Sequence, residues 1–178
     1  MALVPGRSRS RSRRFSAPEL AIGFALVGSV LAVAIPTFLR EVHASRFVEP
    51  VEGIQRIAAS AVAYASAHPG PQPFPPSAPM TPSTPPRGRC EADPVELWER
   101  PTWVALEFQP VPPGEPHCFA FGFDSVTAAA RSTFRAHAHG DLDGDGITST
   151  FEVTGSVVEG DPRGPVLDPG MFVDSEVE

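Results

Sequence analysis

Asp141, Asp143 and Asp145 place a carboxylate at every second position of Asp141-Leu142-Asp143-Gly144-Asp145-Gly146-Ile147. Three aspartates within five residues repel one another unless a cation neutralises them, and such an oxygen-only set suits a hard divalent ion. The chain continues with the backbone carbonyl of Ile147, then the hydroxyl of Ser149, acting directly or through water, then Glu152, whose carboxylate can bind through both oxygens. Gly146 permits the sharp turn that such a loop needs. The ion these six ligand positions fit best is Ca2+, and the competing reading is an Asp-Gly turn that holds no ion.

Two other groups have metal-binding chemistry. His137 and His139 alternate on one strand face, but no third nitrogen or sulfur ligand lies nearby in sequence, so a solvated face is the plainer expectation. Cys90 and Cys118 are the only cysteines. Oxidising compartments favour their pairing, and closing a loop of that size removes about 3 to 4 kcal/mol of unfolded-state freedom. The alternative is two free thiols or half a metal site, for which the chain supplies no C-x-x-C motif and no further Cys. Phosphate-binding Gly loops, HExxH and GxSxG are all absent, which reads as a protein that is not an enzyme.

These residues need strands to hold them. Phe119, Phe121 and Phe123 alternate with small or polar residues, Phe134, Ala136 and Ala138 alternate with Arg135, His137 and His139, and Phe151 and Val153 continue the pattern after the acidic loop. Residues 141–152 are similar to the twelve-residue calcium loop of EF-hands at every liganding position, but the flanks read as strands where that family has helices. The expectation is therefore a calcium loop inside a β-hairpin. Trp98 and Trp103 read as core anchors, with Trp103, Leu106 and Phe108 in a helical turn running into a strand. Residues 161–170 read as loop, and Met171-Phe172-Val173 as a short last strand.

Ahead of the sheet, Ile54, Ile57, Ala58, Ala61, Val62 and Ala65 recur at helical spacing, which extends one long helix from about Pro18 to Ala67. Bends are expected near Pro36 and Pro50, and His68-Pro69-Gly70-Pro71 ends the helix. Half of the residues from Pro69 to Pro86 are proline, which reads as a surface connection, with a partner-recognition segment as the rival. The organisation is thus a basic leader over 1–14, a hydrophobic helix over 15–39, its amphipathic continuation over 40–68, a Pro-rich connection over 69–89 and an antiparallel β domain over 90–178. The class is α+β: a long N-terminal membrane-spanning helix packed on a small antiparallel sheet.

The N-terminus decides the compartment. Leu20–Leu39 is uncharged and almost wholly apolar, long enough at about 1.5 Å per residue to cross a bilayer core of roughly 30 Å. Arg7, Arg9, Arg11, Arg13 and Arg14 precede it without an acid, so that end stays in the cytoplasm and everything after Arg40 is exported. Residues 15–178 carry nine arginines against twenty-one acids, a balance of −12 that argues against nucleic acid as a partner.

Arg13-Arg14-Phe15-Ser16-Ala17-Pro18-Glu19 and the apolar run behind it resemble the class III signal of type IV pilins and pseudopilins. Counted from Phe15, Glu19 is fifth, Gly28 fourteenth and Pro36 twenty-second, as in that family. The resemblance implies cleavage between Arg14 and Phe15 by a prepilin peptidase, N-terminal methylation, and packing of like or related subunits through the apolar helix. Glu19 would then pair with the freed amine. It also implies an inner-membrane protein with a periplasmic domain, extracellular once assembled in a filament. Arg14 stands where the family has Gly, which points to poor processing and a minor subunit. The alternatives are a twin-arginine-like or signal-peptidase export signal, ending at Ala34 or Ala44, and an anchored calcium-binding module with no filament role.

Overall fold

The computed structural model describes residues 16–175, and the basic leader lies outside them. Two compact units divide at Ala44 and Ser45. The first contributes helix α1 (Ala17–Arg46), whose segment Ala17–Phe38 has no buried residue and is long and apolar enough to span a membrane. Its polar side chains are satisfied within the helix: Ser29 Oγ donates to the Ala25 carbonyl at 2.8 Å and Thr37 Oγ1 to that of Val33 at 2.9 Å. A hydroxyl bonded in this way exposes no unpaired donor to lipid. The helix continues through Pro36.

The second unit begins with helix α2 (Val48–Ala67). The expected single helix is interrupted at Phe47, near Pro50 as expected: Pro50 offers no N–H to the Arg46 carbonyl one turn back, and Phe47 turns its ring onto Phe151 at a centroid distance of 6.2 Å. Pro50 is the third residue of α2, where its missing N–H would have had no intrahelical partner. At the other end, His68 N–H and its ring Nδ1 both reach the Tyr64 carbonyl at 2.9 Å and close the last turn.

Residues 69–86 do more than connect. Pro73, Phe74 and Pro75 are buried, and within the stretch lies strand β1 (Ala78–Thr81). Pro79 is tolerated there because β1 is an edge strand, where one side of the backbone needs no partner. A short 3-10 turn (Val95–Leu97) and helix α3 (Pro101–Ala105) follow, and no strand forms from Leu106 to Cys118. Then come β2 (Phe119–Val126), β3 (Arg131–Gly140), β4 (Ser149–Val158), β5 (Val166–Leu167) and β6 (Phe172–Asp174). The antiparallel sheet runs β1-β2-β3-β4-β5, and β6 shares the outer edge of β4 with β5. The short β5 lies inside the stretch read as loop.

The core lies between α2 and one face of this sheet. Phe119, Phe121, Phe123, Phe134, Ala136, Ala138, Phe151 and Val153 face Ile54, Ile57, Ala58, Ala61 and Ala65. Trp98 and Trp103 are buried beside Phe108 and Phe121, and Trp103 Nε1 donates to Thr81 Oγ1 at 3.1 Å. The cysteines are bonded to each other, so the segment holding both tryptophans is tied at both of its ends.

Gly53 sets how closely the helix approaches. A Cβ there would lie 2.3 Å from Cε1 of Phe121, a ring with no exposure. Gly53→Ala is expected to lower stability by about 1 to 3 kcal/mol through overpacking, although alanine at an exposed helix site would add up to about 1 kcal/mol. Thermal melting of the two proteins tests this, and an unchanged or raised Tm for the variant would show that helix and ring are not in contact.

Candidate metal centre

Gly140 and Ser149 form the last pair of the β3–β4 ladder, so residues 141–148 must turn the chain. Gly144 and Gly146 do so with φ of 83° and 94°, a backbone region that strains any side chain. Asp141 is 1% exposed, and its two oxygens accept the N–H groups of Gly144 at 2.8 Å and Gly146 at 3.2 Å. Asp143 accepts the Asp145 N–H at 3.1 Å, and Asp145 accepts that of Ile147 at 2.7 Å. One oxygen from each aspartate lies within 4.8 Å of the other two. Ligands held at 2.3 to 2.6 Å from one ion span no more than about 5 Å, so the three can share a metal.

Arg87 faces this cluster with Nε 3.7 Å from Asp141 Oδ2, and Gly88 N–H donates to the Asp141 carbonyl at 2.8 Å. The Pro-rich connection therefore backs the loop. Arg87 supplies one positive charge against three carboxylates, which leaves a net negative site for a cation.

Two of the six expected ligand positions fall elsewhere. Ser149 is fully buried, and its hydroxyl donates to the Gly140 carbonyl at 3.2 Å. Glu152 is paired with His137 across the ladder, and its carboxylate accepts Arg135 Nη1 at 3.2 Å. The reason is the exit from the loop: a strand advances about 3.3 Å per residue, so the three steps from Ser149 carry Glu152 about 10 Å along β4. A helix would have advanced only about 4.5 Å and turned back toward the ion. Ile147 stays in the loop with its side chain half exposed.

The histidine face is not a solvated one. His137 is 8% exposed, and a Cβ on Gly122 would meet its Nε2 at 2.2 Å. Its Nδ1 has no hydrogen-bond partner and lies 3.8 Å from Asp124 Oδ2. Arg135 pairs with Asp124 at 2.7 Å and with Glu152, placing a fixed cation among the groups that would have to share a metal. His139 Nδ1 is bonded to Thr150 Oγ1 at 2.9 Å.

At the N-terminus, Arg14 and Phe15 lie outside the described residues. Glu19 has a partner within its own helix: Oε2 accepts the Ser16 N–H at 2.8 Å and the Ser16 hydroxyl at 2.9 Å. Ser16-x-x-Glu19 is the sequence of a helix capping box, a signal readable in the chain itself. Gly28 and Pro36 lie on α1 with open space around Gly28. A groove of about 910 Å3 lies away from the acidic loop, between Ala65, Pro69, Thr127, Arg131, Glu159 and Pro165.

Sequence reasoning missed the cluster of Glu49, Asp93 and His117, in which two half-buried acids flank a buried ring where α2 meets the start of β2. No spacing signals it, since His117 lies 24 residues from Asp93 and farther still from Glu49. Comparison with known proteins returns no match, whether against family models, curated proteins or solved structures.

Burial pushes the His137 imidazole below its ordinary value of 6.5, since the charged ring would lose its hydration; nearby Asp124 opposes this and Arg135 adds to it. As pH falls past 6.5 the unfolded chain takes up a proton that the folded one resists, so stability is full above this range and declines below it. His137→Phe keeps a ring over Gly122 and removes the titration. Melting curves recorded from neutral to mildly acidic pH are expected to show a smaller loss of Tm for the variant, and parallel losses would remove His137 from the acid response.

Proposed function

We propose that this chain is a membrane-anchored, exported subunit of a type IV pilin-like or pseudopilin filament, a minor one, whose domain binds calcium in the β3–β4 loop. One observation carries the reading. Ala17–Phe38 is unburied and apolar except for Glu19, Ser29 and Thr37, while the core of the other unit, among the described residues, draws nothing from before Phe47. A domain that completes its own core leaves the apolar helix for lipid or for other helices like itself. The register of Phe15, Glu19, Gly28 and Pro36 selects a filament from among such arrangements. The partners are then like subunits through α1, the membrane, and a prepilin peptidase acting at Arg14-Phe15. The protein has no catalytic role in this reading.

Calcium is the ion of choice because all the donors are oxygens and the ion would be in the exported compartment. Three carboxylates without a bidentate glutamate make a weak site, of the roughly 0.1 to 1 mM class found in extracellular modules. The second reading, an anchored calcium-binding module without a filament, is favoured by Ser16, which already satisfies Glu19 inside one chain.

Calcium at ten times its dissociation constant should stabilise the domain by about 1.4 kcal/mol. In full-length protein in detergent, millimolar calcium is expected to raise Tm over chelator. Asp143→Asn with Asp145→Asn should abolish the rise, whereas Glu152→Gln should keep it, because that carboxylate is bound to Arg135. Loss of the response in Glu152→Gln would mean that the loop closes differently from the hairpin described.

Filament membership is tested at the other end of the chain. Glu19→Ala is expected to leave the protein inserted and folded but to lower its share of sheared filament fractions, and Arg14→Gly to raise leader removal and incorporation. Mass spectrometry should find a methylated Phe15 at the mature N-terminus. An intact leader, with both variants matching wild type in filament content, would select the anchored module.

A further inference from the structure

We propose that Met80, His137 and His139 form a second metal centre, one for a soft monovalent ion, Cu(I), on the polar face of the sheet. The residues come from two strands that lie far apart in the sequence. Ala78 pairs with Phe123 and Thr81 with Phe121, so the register slips by one residue between them. The slip keeps Ala78 and Thr81 in the core and turns Met80, partly exposed, to the opposite face. There it meets Gly122 and His137, which pair across β2 and β3. A Cβ on Gly122 would lie 2.9 Å from Met80 Sδ and closer still to His137 Nε2. Sulfur and nitrogen thus converge over a residue that has no side chain to separate them.

His137 has the surroundings of a ligand. Its side chain is buried, and Nδ1, which has no hydrogen-bond partner, faces the Asp124 carboxylate with Oδ2 at 3.8 Å. An imidazole that ligates through Nε2 turns its Nδ1–H to a carboxylate in this way. Burial holds both histidine rings below their ordinary value of 6.5, so at neutral pH each has a lone pair to give. His139 is fixed through Nδ1 by Thr150 Oγ1 at 2.9 Å, which leaves Nε2 as its ligand atom. The two ring centres are 5.6 Å apart. Imidazoles that share one ion through bonds of about 2 Å have their centres roughly 5 to 5.5 Å apart, so a small rotation of either ring closes the set.

The donors select the ion. A thioether and two neutral imidazoles bring softness and no charge, which suits Cu(I) and not Ca2+ or Mg2+. The nearest acids are committed elsewhere, since Asp124 and Glu152 both pair with Arg135. That guanidinium repels a dication more strongly than a monovalent ion. No thiol competes for the metal, because Cys90 and Cys118 are bonded to each other.

Full-length protein in detergent, kept under nitrogen with ascorbate, is expected to withdraw one equivalent of Cu(I) from its coloured complex with bicinchoninate. Met80→Leu keeps the bulk of the side chain and removes the sulfur. Without copper it should melt like wild type, and it should bind Cu(I) at least about tenfold more weakly. His137→Phe and His139→Gln should weaken binding as much, whereas Asp143→Asn with Asp145→Asn should leave it unchanged. X-ray absorption at the copper edge should find one sulfur and two nitrogens around the ion. No transfer from the chelator, unchanged binding in any of the three ligand variants, or dependence on the aspartates would overturn the site and leave Met80 as a packing contact for the ring.

Discussion

The closeness of α2 to the phenylalanine face of the sheet is the constraint on which the rest of the domain depends. Gly53 lies against the Phe121 ring, and Ala58, Ala61 and Ala65 continue the small-residue stripe with Ile54 and Ile57 as its bulk. Large rings on the sheet and small residues on the helix are complementary, and swapping a small residue for a large one on either side removes the fit. With that face occupied, the other face of the sheet must carry the polar groups. It holds the ladder of Asp124, Arg135 and Glu152 and the two histidines. Glu152 stands on that polar face, with its carboxylate on Arg135. It belongs to the Arg135 ladder because β4 leaves the loop as an extended strand.

Two features hold one end of this packing. At the start of α2, Glu49 grips the first amides of β2, beside the bond between Cys90 and Cys118. At the same end of the sheet, since Phe119 pairs with Gly140, the acidic loop is backed by Arg87 and Gly88 from the connection that precedes it. The disulfide, the Glu49 cluster and the loop therefore act on the long segment between β1 and β2, which has little regular structure. Irregular backbone of that length needs such ties, since it has few ladder bonds of its own. A cation in the loop would add one more tie at the point where Arg87 meets Asp141.

The anchor obeys different physics. Its surface from Ala17 to Phe38 is apolar all round, its hydroxyls are bonded to its own carbonyls, and its one acid is capped by Ser16. A helix of that kind is complete as a covalent and hydrogen-bonded object but has no aqueous solution as a free element. What surrounds it, lipid or neighbouring subunits, is the question on which filament and anchor readings part.

Much of this was legible in one chain, because it depends on short-range patterns. Alternation identified β2, β3 and β4, the apolar run identified α1, the helical period identified the stripe of α2, and two cysteines in an exported segment pointed to one bond. The break before Pro50 was legible from the proline, but the seat of Phe47 was not, since it is a contact with Phe151 more than a hundred residues away. Strand β1 was hidden by its proline, and β5 by being two residues long. The ligand spacing of the acidic loop was readable, but whether position twelve comes back to the ion depends on what the chain does after the loop, and the sheet decided that. Glu49, Asp93 and His117 have no shared motif, and only folding brings them together. Local periodicity reports which face of an element is buried; which elements meet, and therefore which distant charges must neutralise one another, is a property of the tertiary packing alone.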